Sequence, residues 1–411
     1  MAERLRCTAA SAAEVAAGVR QGVRGGVSVA DVVRQIVAAV RAGGDRALLE
    51  YEERFGGERS GDERFARGRG ALRVGREELD TALAALDPHV RAGLEVAIEN
   101  VHLVAEMGND FEAEGHLPQG HTVKLREVPV SRAAVYVPAG RNPYPSTVVM
   151  GAITARAAGV HEVVVASGDH PAILAACALC GVDAVFRMGG AQAIAALAYA
   201  TETVPAVDVI VGPGSLWVQE AKRQVSGDVG IDGFAGPSDL TVVLSAGADP
   251  EPLKADLLAQ AEHGEDSLVV AVSDDAALLD ALGGVAVEVL ADDMEAALAF
   301  SEALAPEHLQ LAGVAAEALA PRVRRAGCLF VGNETGTAFG DYVAGSNHTL
   351  PTGGAARFAS GLSTRHFRRR MAEVRLGPAA AALARAAAPI ADAEGFPRHA
   401  ESLRIRDNPR P

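Results

Sequence analysis

The sequence predicts an α/β protein made of two doubly wound parallel sheets, with small helical segments near its two ends. Two long stretches of the 411-residue chain alternate short β-branched runs with alanine-rich helical segments. This alternation is typical of parallel strands joined by helices. The runs VVVAS and LVVAVS are almost wholly apolar, as expected for strands covered on both faces. Apolar residues make up 49% of the chain, enough for a sizeable core.

Each stretch resolves into candidate elements in chain order. The first contains predicted strands at 133–137, 162–167, 183–186 and 207–211, with helices at 146–158, 171–180 and 190–200. The second contains predicted strands at 240–245, 268–273 and 328–331, with helices near 250–263, 275–284, 293–304 and 314–325. The flanking residues 1–54, 77–113 and 365–411 are predicted to be mostly helical, and 56–70 an exposed loop.

The charge balance excludes several classes of partner. Lys and Arg number 38 against 53 Asp and Glu, a formal net charge of −15. Such an acidic chain is repelled by nucleic-acid backbones and anionic lipid, so we expect no nucleic-acid or membrane partner.

The four cysteines of the chain are too few for a disulfide scaffold. Without a predicted signal peptide or a transmembrane run, the chain is expected to be soluble and cytoplasmic.

Two glycine-containing turns follow predicted strands and open helices. Gly212-Pro213-Gly214 precedes Ser215, and Gly189-Gly190 precedes Gln192. Backbone N–H groups at such a helix start can bind an anion, and ligands of α/β sheets bind at the carboxyl edge. The alternative for either motif is an ordinary strand–helix turn that binds no ligand, and neither motif by itself is enough to indicate a binding site.

Several polar residues have spacings that suit a metal or proton transfer. Gln260 and His263 lie one helical turn apart, so both can reach one ion, although a solvated helix end has the same pattern. Glu307-His308 offers two adjacent proton acceptors, or simply an exposed loop pair. Other polar candidates, each with a plain surface or turn alternative, are Asp341, His348, Glu394 and His399. The pair Cys177-x-x-Cys180 is interpreted as buried small residues.

Taken together and in order, eight blocks resemble the histidinol dehydrogenase family. They are VYVPAG (135–140), GGAQAIAALAY (189–199), VGPG (211–214), GIDGFAGPSD (230–239), DLLAQAEHG (256–264), APEHL (305–309), GDYVAGSNHTLPT (340–352) and AEGFPRH (393–399). The resemblance extends over roughly residues 27–406. It implies an enzyme of histidine biosynthesis that oxidises L-histidinol to L-histidine through an aldehyde while reducing two NAD⁺.

The resemblance also implies a role for individual residues. The implied Zn²⁺ ligands are Gln260, His263, Asp341 and His399. His308 matches the base that removes the hydroxyl proton, and Glu307 matches the residue that activates water. The implied substrate contacts are Ser238, His348 and Glu394 together with the zinc ligands and His308, and the implied NAD contacts are Tyr136, Gln192 and Ser215. Ser215 replaces the asparagine usual in the family, which affects cofactor binding more than the reaction.

The resemblance further implies a homodimer in which Glu394 and His399 enter the partner's site. We expect two Rossmann-like domains: residues 27–131 with 239–362 carry the zinc and catalytic residues, and 132–238 carry the NAD contacts. Residues 1–26 form an N-terminal helical segment, and 363–411 a C-terminal one. Two alternatives stay open: a zinc and NAD dehydrogenase of another small alcohol such as a sulfonated diol, and a non-catalytic ligand-binding relative. The retained Glu394, Glu307 and His308 favour histidinol oxidation.

Overall fold

A computed structural model describes residues 4–22, 28–56, 72–109, 112–138, 142–234, 236–264 and 266–407. The predicted loop at 56–70 lies, beyond the helical residue 56, outside these described residues. The chain divides into two compact units. The larger unit comprises Met1–Gly108 and Val130–Phe367, and the smaller comprises Asn109–Pro129 and Arg368–Pro411.

A six-stranded, fully parallel sheet forms one half of the larger unit, with the strand order β1-β11-β10-β9-β12-β13. Its strands are β1 (Leu5–Cys7), β9 (Asp239–Leu244), β10 (Leu268–Ser273), β11 (Val287–Ala291), β12 (His308–Ala312) and β13 (Cys328–Val331). In the register of its centre, His308 of β12 lies opposite Leu240 of β9 and Cys328 of β13. Strands β1, β11 and β12 were not predicted from the sequence.

A second parallel sheet of five strands has the order β6-β5-β4-β7-β8. Its strands are β4 (Arg132–Tyr136), β5 (Glu162–Ser167), β6 (Ala184–Arg187), β7 (Val209–Val211) and β8 (Gly230–Ile231). The four strands predicted in this stretch are confirmed as β4 to β7, and only the two-residue edge strand β8 was not predicted.

Helices cover both faces of both sheets. Those of the N-terminal part are α1 (Ala12–Gln21), α2 (Ala30–Gly56, kinked at Gly44), α3 (Arg76–Ala84) and α4 (Pro88–Glu106). The crossover helices are α5 (Pro145–Ala157), α6 (Pro171–Leu179), α7 (Gly190–Tyr199), α8 (Leu216–Val225), α9 (Pro250–Ala261), α10 (Ala276–Leu282) and α11 (Met294–Leu304). Two short helices follow, α12 (Val314–Glu317) and α13 (Thr337–Tyr342).

Each sheet is buried between two apolar clusters, one on each face. In β4, Ala133 and Val135 belong to one cluster, whereas Ala134 and Tyr136 belong to the other. In β9, Val243 and Val242 are likewise divided between two clusters. Successive strand residues point to opposite faces, so apolar residues are needed at every position. The predicted α/β class with two doubly wound parallel sheets is therefore confirmed.

The helices near the N-terminus pack on the two sheets separately. Helix α1 packs against α11 beside the six-stranded sheet, whereas α2 packs against α7, α3 against α6 and α4 against α5. The predicted grouping of residues 27–131 with 239–362 thus differs from the observed packing of α2 to α4, which bury their apolar faces on the helices of the five-stranded sheet. The domain limits themselves stay a prediction.

The smaller unit corrects one expectation. Residues 365–411 were predicted to be helical, but β14 (Arg368–Arg375) forms an antiparallel sheet with β3 (Thr122–Pro129), which also pairs with β2 (Glu112–His116). Helices α14 (Ala380–Ala393) and α15 (Pro397–Arg404) complete the unit. The strand RRRMAEVR has no apolar alternation, and cross-strand ion pairs such as Arg370–Glu127 at 2.6 Å accompany its pairing.

The predicted helix at 314–325 is also wrong in extent. It ends at Glu317, and a single 3₁₀ turn spans Ala320–Arg322. Pro321 cannot donate a backbone hydrogen bond within a continuing α-helix. No helix in the described part of the chain is long and apolar enough to cross a membrane.

Candidate active site

The polar residues singled out in the second α/β stretch meet at the amino edge of the six-stranded sheet. β9 begins at Asp239 and β12 at His308, and these two strands are neighbours. Ser238 and Glu307 stand just before them. Ligands of parallel sheets usually bind at the carboxyl edge, so this location could not be read from the alternation of strands and helices.

Glu307 is enclosed in hydrogen bonds. Its Oε2 atom accepts one from the Ser238 hydroxyl at 2.5 Å and one from the backbone N–H of Asp239 at 3.0 Å. The residue is only 6% exposed, which contradicts the loop-pair alternative. Burial raises the pKa of Glu307 above its usual value, and neighbouring His308 and the Ser238 hydroxyl partly counter that rise. A buried carboxylate of this kind is suited to accepting a proton.

His308, the first residue of β12, is held in one orientation by Asp239 of β9. Its Nδ1 lies 3.1 Å from the carbonyl oxygen of Asp239 and 3.7 Å from Glu307 Oε2. A carbonyl can only accept, so Nδ1 carries the proton and Nε2 is the ring's acceptor. On that side Nε2 is 4.0 Å from Asp341 Oδ1. His308 is 3% exposed, and its ring lies near that of Phe330, with centroids 6.0 Å apart.

Helix α9 brings Gln260 to this edge, and His263 is exposed in the turn that follows the end of the helix at Ala261. The helix connects two parallel strands and runs against them, so its C-terminal end lies beside the strand starts. Gln260 is buried, and its Nε2 donates to Ser238 Oγ at 2.7 Å. The amide oxygen therefore faces away from the serine. The partial negative charge of a helix C-terminus favours a cation there.

Asp341 and His348 enter from α13 and the loop that follows. His348 Nδ1 lies 2.9 Å from the Asp341 carbonyl oxygen, and Nε2 lies 3.3 Å from the Thr147 hydroxyl of α5. Burial lowers the pKa of His348, and the Asp341 carboxylate partly opposes this shift. A Cβ at Gly340 would lie 2.7 Å from Phe330 Cζ, so glycine is needed for α13 to approach the strand carrying Phe330.

The predicted cofactor contacts lie at the carboxyl edge of the five-stranded sheet. Tyr136 ends β4, and its hydroxyl accepts the N–H of Gly190 at 3.0 Å. Gln192 is buried and donates to Glu52 Oε1 at 2.8 Å, and that oxygen also accepts Gly189 N–H at 2.9 Å. Ser215 is exposed at the start of α8, and its hydroxyl makes no cap hydrogen bond.

Glu394 and His399 belong to the smaller unit, where both are exposed. The His399 ring lies beside Phe396, with centroids 5.3 Å apart. Their participation in the site stays a prediction. Within the described residues, no three His, Cys, Asp or Glu side chains form a cluster able to hold a metal. The predicted ligand set includes a glutamine, and only His263 and Asp341 of its other members belong to the larger unit.

Two residues that contact the predicted site residues, Asp239 and Glu52, were not predicted from the sequence. Asp239 was quoted only as the end of GIDGFAGPSD, yet it contacts both Glu307 and His308. Glu52 lies in α2, 137 positions along the chain from Gly189, whose N–H it accepts. No local spacing in the sequence therefore indicates this contact. The cysteines behave as predicted: Cys177 and Cys180 are buried, and burial raises the pKa of Cys180 to about 12.

Comparison with known proteins decides the family. The family model described as histidinol dehydrogenase matches residues 21–284 and 280–407. The chain belongs to the histidinol dehydrogenase family. A histidinol dehydrogenase of Rhizobium meliloti strain 1021 is 41% identical over 407 residues, covering 92% of each chain. One from Pseudomonas aeruginosa is 40% identical over 406 residues, covering 92% of this chain and 91% of the relative.

A solved structure supports the same membership. The crystal structure of histidinol dehydrogenase from Elizabethkingia anophelis matches with a TM-score of 0.89 at 27% identity, and covers 98% of both chains. The predicted resemblance to the histidinol dehydrogenase family is thereby confirmed over nearly the whole length, including the two parallel sheets and the segments around them.

Proposed function

We propose that this chain catalyses the NAD-dependent oxidation of L-histidinol to L-histidine in two steps, with Glu307 and His308 transferring the protons. The observation that carries this proposal is the buried Glu307–His308 pair, oriented by Ser238 and Asp239 at one sheet edge. Family membership supports the substrate and the reaction class.

In the first step, the alcohol loses a hydride to NAD⁺ and its hydroxyl proton to His308. The Nδ1 hydrogen bond to Asp239 supports this role, because it leaves the Nε2 lone pair as acceptor. The products are the aldehyde and NADH. Phe330 beside the ring and the buried position of His308 limit the access of bulk water to the imidazole.

In the second step, Glu307 removes a proton from water as it adds to the aldehyde carbon. The hydrate then transfers a second hydride to a second NAD⁺ and a hydroxyl proton to His308, which has released its first proton, and becomes the carboxylic acid. Burial raises the pKa of Glu307, which makes this carboxylate a stronger base than an exposed one. The hydrogen bond from Ser238 keeps its Oε2 atom in place.

Gln260, His263, Asp341 and His399 are the residues that would hold Zn²⁺. The donor set fits that metal, since an amide oxygen, imidazole nitrogens and a carboxylate are ligands it accepts. The orientation of Gln260, whose nitrogen faces Ser238, supports the fit because its oxygen is turned away. When bound, the metal would anchor the amino and imidazole groups of histidinol. His348 and Glu394 are proposed as further substrate contacts.

Tyr136, Gln192 and Ser215 are the residues proposed to contact NAD. The short contacts among Tyr136, Gly190, Gln192 and Glu52 support this assignment, because they hold polar groups rigidly at a carboxyl edge. Ser215 offers a hydroxyl at the start of a ten-residue helix, where the N–H groups favour phosphate oxygens.

We also propose a homodimer in which Glu394 and His399 complete the partner's site. Large apolar side chains of the smaller unit support an interface, because Val374 is 57%, Ile390 60% and Ile405 63% exposed in the single chain. We propose a cytoplasmic location, in keeping with a biosynthetic enzyme of this family.

The test is NADH formation with L-histidinol against a panel of small alcohols that includes a sulfonated diol. We expect two NADH per histidinol and much slower turnover of the other alcohols. His308→Ala should slow even the first oxidation, by ~10²–10⁴-fold if it removes the general base. Glu307→Gln should release the first NADH and accumulate trapped aldehyde. Faster oxidation of the sulfonated diol than of histidinol would overturn the substrate assignment.

A further inference from the structure

Asp239 contacts both members of the proposed proton-transfer pair. Its backbone N–H donates to Glu307 Oε2 at 3.0 Å, and its side-chain Oδ1 accepts the backbone N–H of Glu307 at 2.7 Å. Its carbonyl oxygen accepts from His308 Nδ1 at 3.1 Å. One residue therefore sets the position of the Glu307 carboxylate, the Glu307 backbone and the imidazole.

Arg20 holds Asp239 from the far end of the chain. From α1, its Nη1 lies 3.3 Å from Asp239 Oδ2, and its Nη2 donates to the carbonyl oxygen of Leu304 at 2.5 Å. Leu304 ends α11, and Ala305 then has a φ of 49°, in the left-handed region, before the chain reaches Glu307. The guanidinium thus contacts both Asp239 and Leu304, the last residue before the turn that leads to Glu307 and His308.

The opposite charges of Arg20 and Asp239 favour a stable contact between them. Asp239 is 1% exposed, and burial raises the pKa of its carboxyl while Arg20 opposes that rise. A buried carboxylate needs a charged or hydrogen-bonded partner, and Arg20 is its cationic one. The planar guanidinium can contact the carboxylate and the Leu304 carbonyl together, which a lysine ammonium does with less geometric definition.

We propose that Asp239 and Arg20 are positioning residues for the Glu307–His308 pair. Asp239 fixes Nδ1 as the protonated nitrogen of His308 and holds Glu307 against Ser238, and Arg20 holds Asp239 and the turn before Glu307. This inference rests on the proton-transfer roles proposed above for Glu307 and His308. It assigns to α1, which contributes no group to the reaction, a part in catalytic geometry.

The experiment compares Asp239→Asn, Arg20→Gln and Arg20→Lys with the unaltered holoenzyme. The matched control is Arg4→Gln, because Arg4 also ties the N-terminal region to a distant carboxylate, Glu288, at 2.5 Å but away from the site. We measure kcat and KM for histidinol, zinc per subunit and the thermal midpoint. Small displacements of catalytic groups cost up to ~10²-fold in rate.

We expect Asp239→Asn and Arg20→Gln each to lower kcat by about ten- to a hundredfold with KM and zinc content nearly unchanged. Arg20→Lys should recover part of the kcat lost in Arg20→Gln. The double variant Arg20→Gln/Asp239→Asn should have a kcat only slightly lower than that of either single variant, since the two residues act as a unit. Arg4→Gln should lower only the thermal midpoint.

A kcat in Arg20→Gln and Asp239→Asn equal to that of the Arg4→Gln control, while Glu307→Gln stalls after the first NADH, overturns this inference and leaves the proposed roles intact. Full two-step turnover by Glu307→Gln overturns those roles instead, and the inference with them. Loss of kcat only in proportion to lost folded protein in both Arg20 variants also overturns it, because it reports a purely structural contact.

Discussion

At the scale of single residues, a chain of three hydrogen-bonded side chains connects one candidate metal ligand, Gln260, to Glu307 through Ser238. Gln260 donates to Ser238, and Ser238 donates to Glu307. The serine hydroxyl can do both, since it is one donor and two acceptors. Its removal leaves two buried polar groups with one partner fewer, so we expect Ser238 to affect the protonation of Glu307 in addition to its proposed contact with substrate.

Replacing Ser238 by alanine should shift the pH dependence of the reaction. Burial raises the pKa of Glu307, and the Ser238 hydrogen bond lowers it. Without the hydroxyl the pKa of Glu307 rises further, so the carboxylate is protonated at a higher pH and the acid limb of the second step moves upward. We expect the limb of the kcat profile to shift upward, with Ser226→Ala, an exposed serine, as control. A shift toward lower pH would contradict the prediction.

Ser215→Asn tests the proposed cofactor contact. The hydroxyl of Ser215 is shorter than an amide, which provides both a donor and an acceptor. Because Ser215 is exposed and its side chain caps nothing, asparagine fits without a clash. We expect an unchanged or lower KM for NAD⁺ and little effect on the KM for histidinol. A large rise in the KM for NAD⁺ would count against the contact.

At the scale of elements, the loop from β7 to α8 is held by a buried ion pair. Lys222 of α8 pairs with Asp232 and donates to the Gly212 carbonyl oxygen at 3.0 Å. Asp232 in turn accepts the Gly212 N–H at 2.7 Å. Gly212 has a φ of 118°, and a Cβ there would strike the backbone oxygen of Tyr136. These contacts place the glycine turn against the end of β4, where Tyr136 is proposed to contact NAD.

Lys222→Met should destabilise the protein strongly. The side chain of Lys222 is 1% exposed and that of Asp232 is 6% exposed, so methionine leaves a buried carboxylate without its cation. Such one-sided removal costs about 3–5 kcal/mol, measured as the change in free energy of unfolding in urea. The pair Arg41–Asp228, exposed and 3.8 Å apart, supplies the control: Arg41→Gln should cost at most about 1 kcal/mol. Equal losses in the two variants would refute this account.

At the scale of the whole molecule, the proposed zinc ligands are divided between two compact units. Gln260, His263 and Asp341 belong to the larger unit and His399 to the smaller. The proposed exchange of the smaller unit's residues between subunits gives this division a function, since each site then requires a dimer with two-fold symmetry.

Subunit mixing tests that exchange. His399→Asn should lose zinc, measured by elemental analysis, and activity, and His308→Ala should be nearly inactive. In a hybrid dimer, one site would combine the intact His308 of one subunit with the intact His399 of the other. Refolding or exchanging the two variants together should therefore restore activity. If mixing restores none although hybrids form, as shown by tagged subunits, each site is built from one chain.

Removing the proposed Zn²⁺ from the protein should stop histidinol oxidation. The ligands proposed for zinc bind as neutral or anionic groups, so a strong chelator should abolish histidinol oxidation and added Zn²⁺ should restore it. The unfolding midpoint should rise again on adding Zn²⁺, because a ligand that binds only the folded state stabilises it. Unchanged activity in exhaustively chelated protein of measured zero zinc content would disprove the assignment.

The sequence by itself determined the family, the two parallel sheets and the choice of Glu307 and His308 as candidate site residues, whereas their burial was seen only in the structure. Those conclusions depend on local patterns, namely apolar periodicity and ordered motifs, which neighbouring residues carry. The ligand and cofactor roles drawn from the same motifs stay predictions. The strand at Arg368–Arg375 was missed because its residues alternate in no apolar pattern.

Only the tertiary structure decided that the candidate site residues lie at the amino edge of the six-stranded sheet, that Asp239 contacts Glu307 and His308 there, and that Arg20 contacts Asp239. Strand order and register bring the start of β9 beside the start of β12, and α1 packs where Arg20 reaches Asp239 and the Leu304 carbonyl oxygen at the end of α11. Arg20 and Asp239 are separated by 219 positions in the chain. Contacts of this kind arise from how packed elements meet, and no spacing between residues along the chain encodes them.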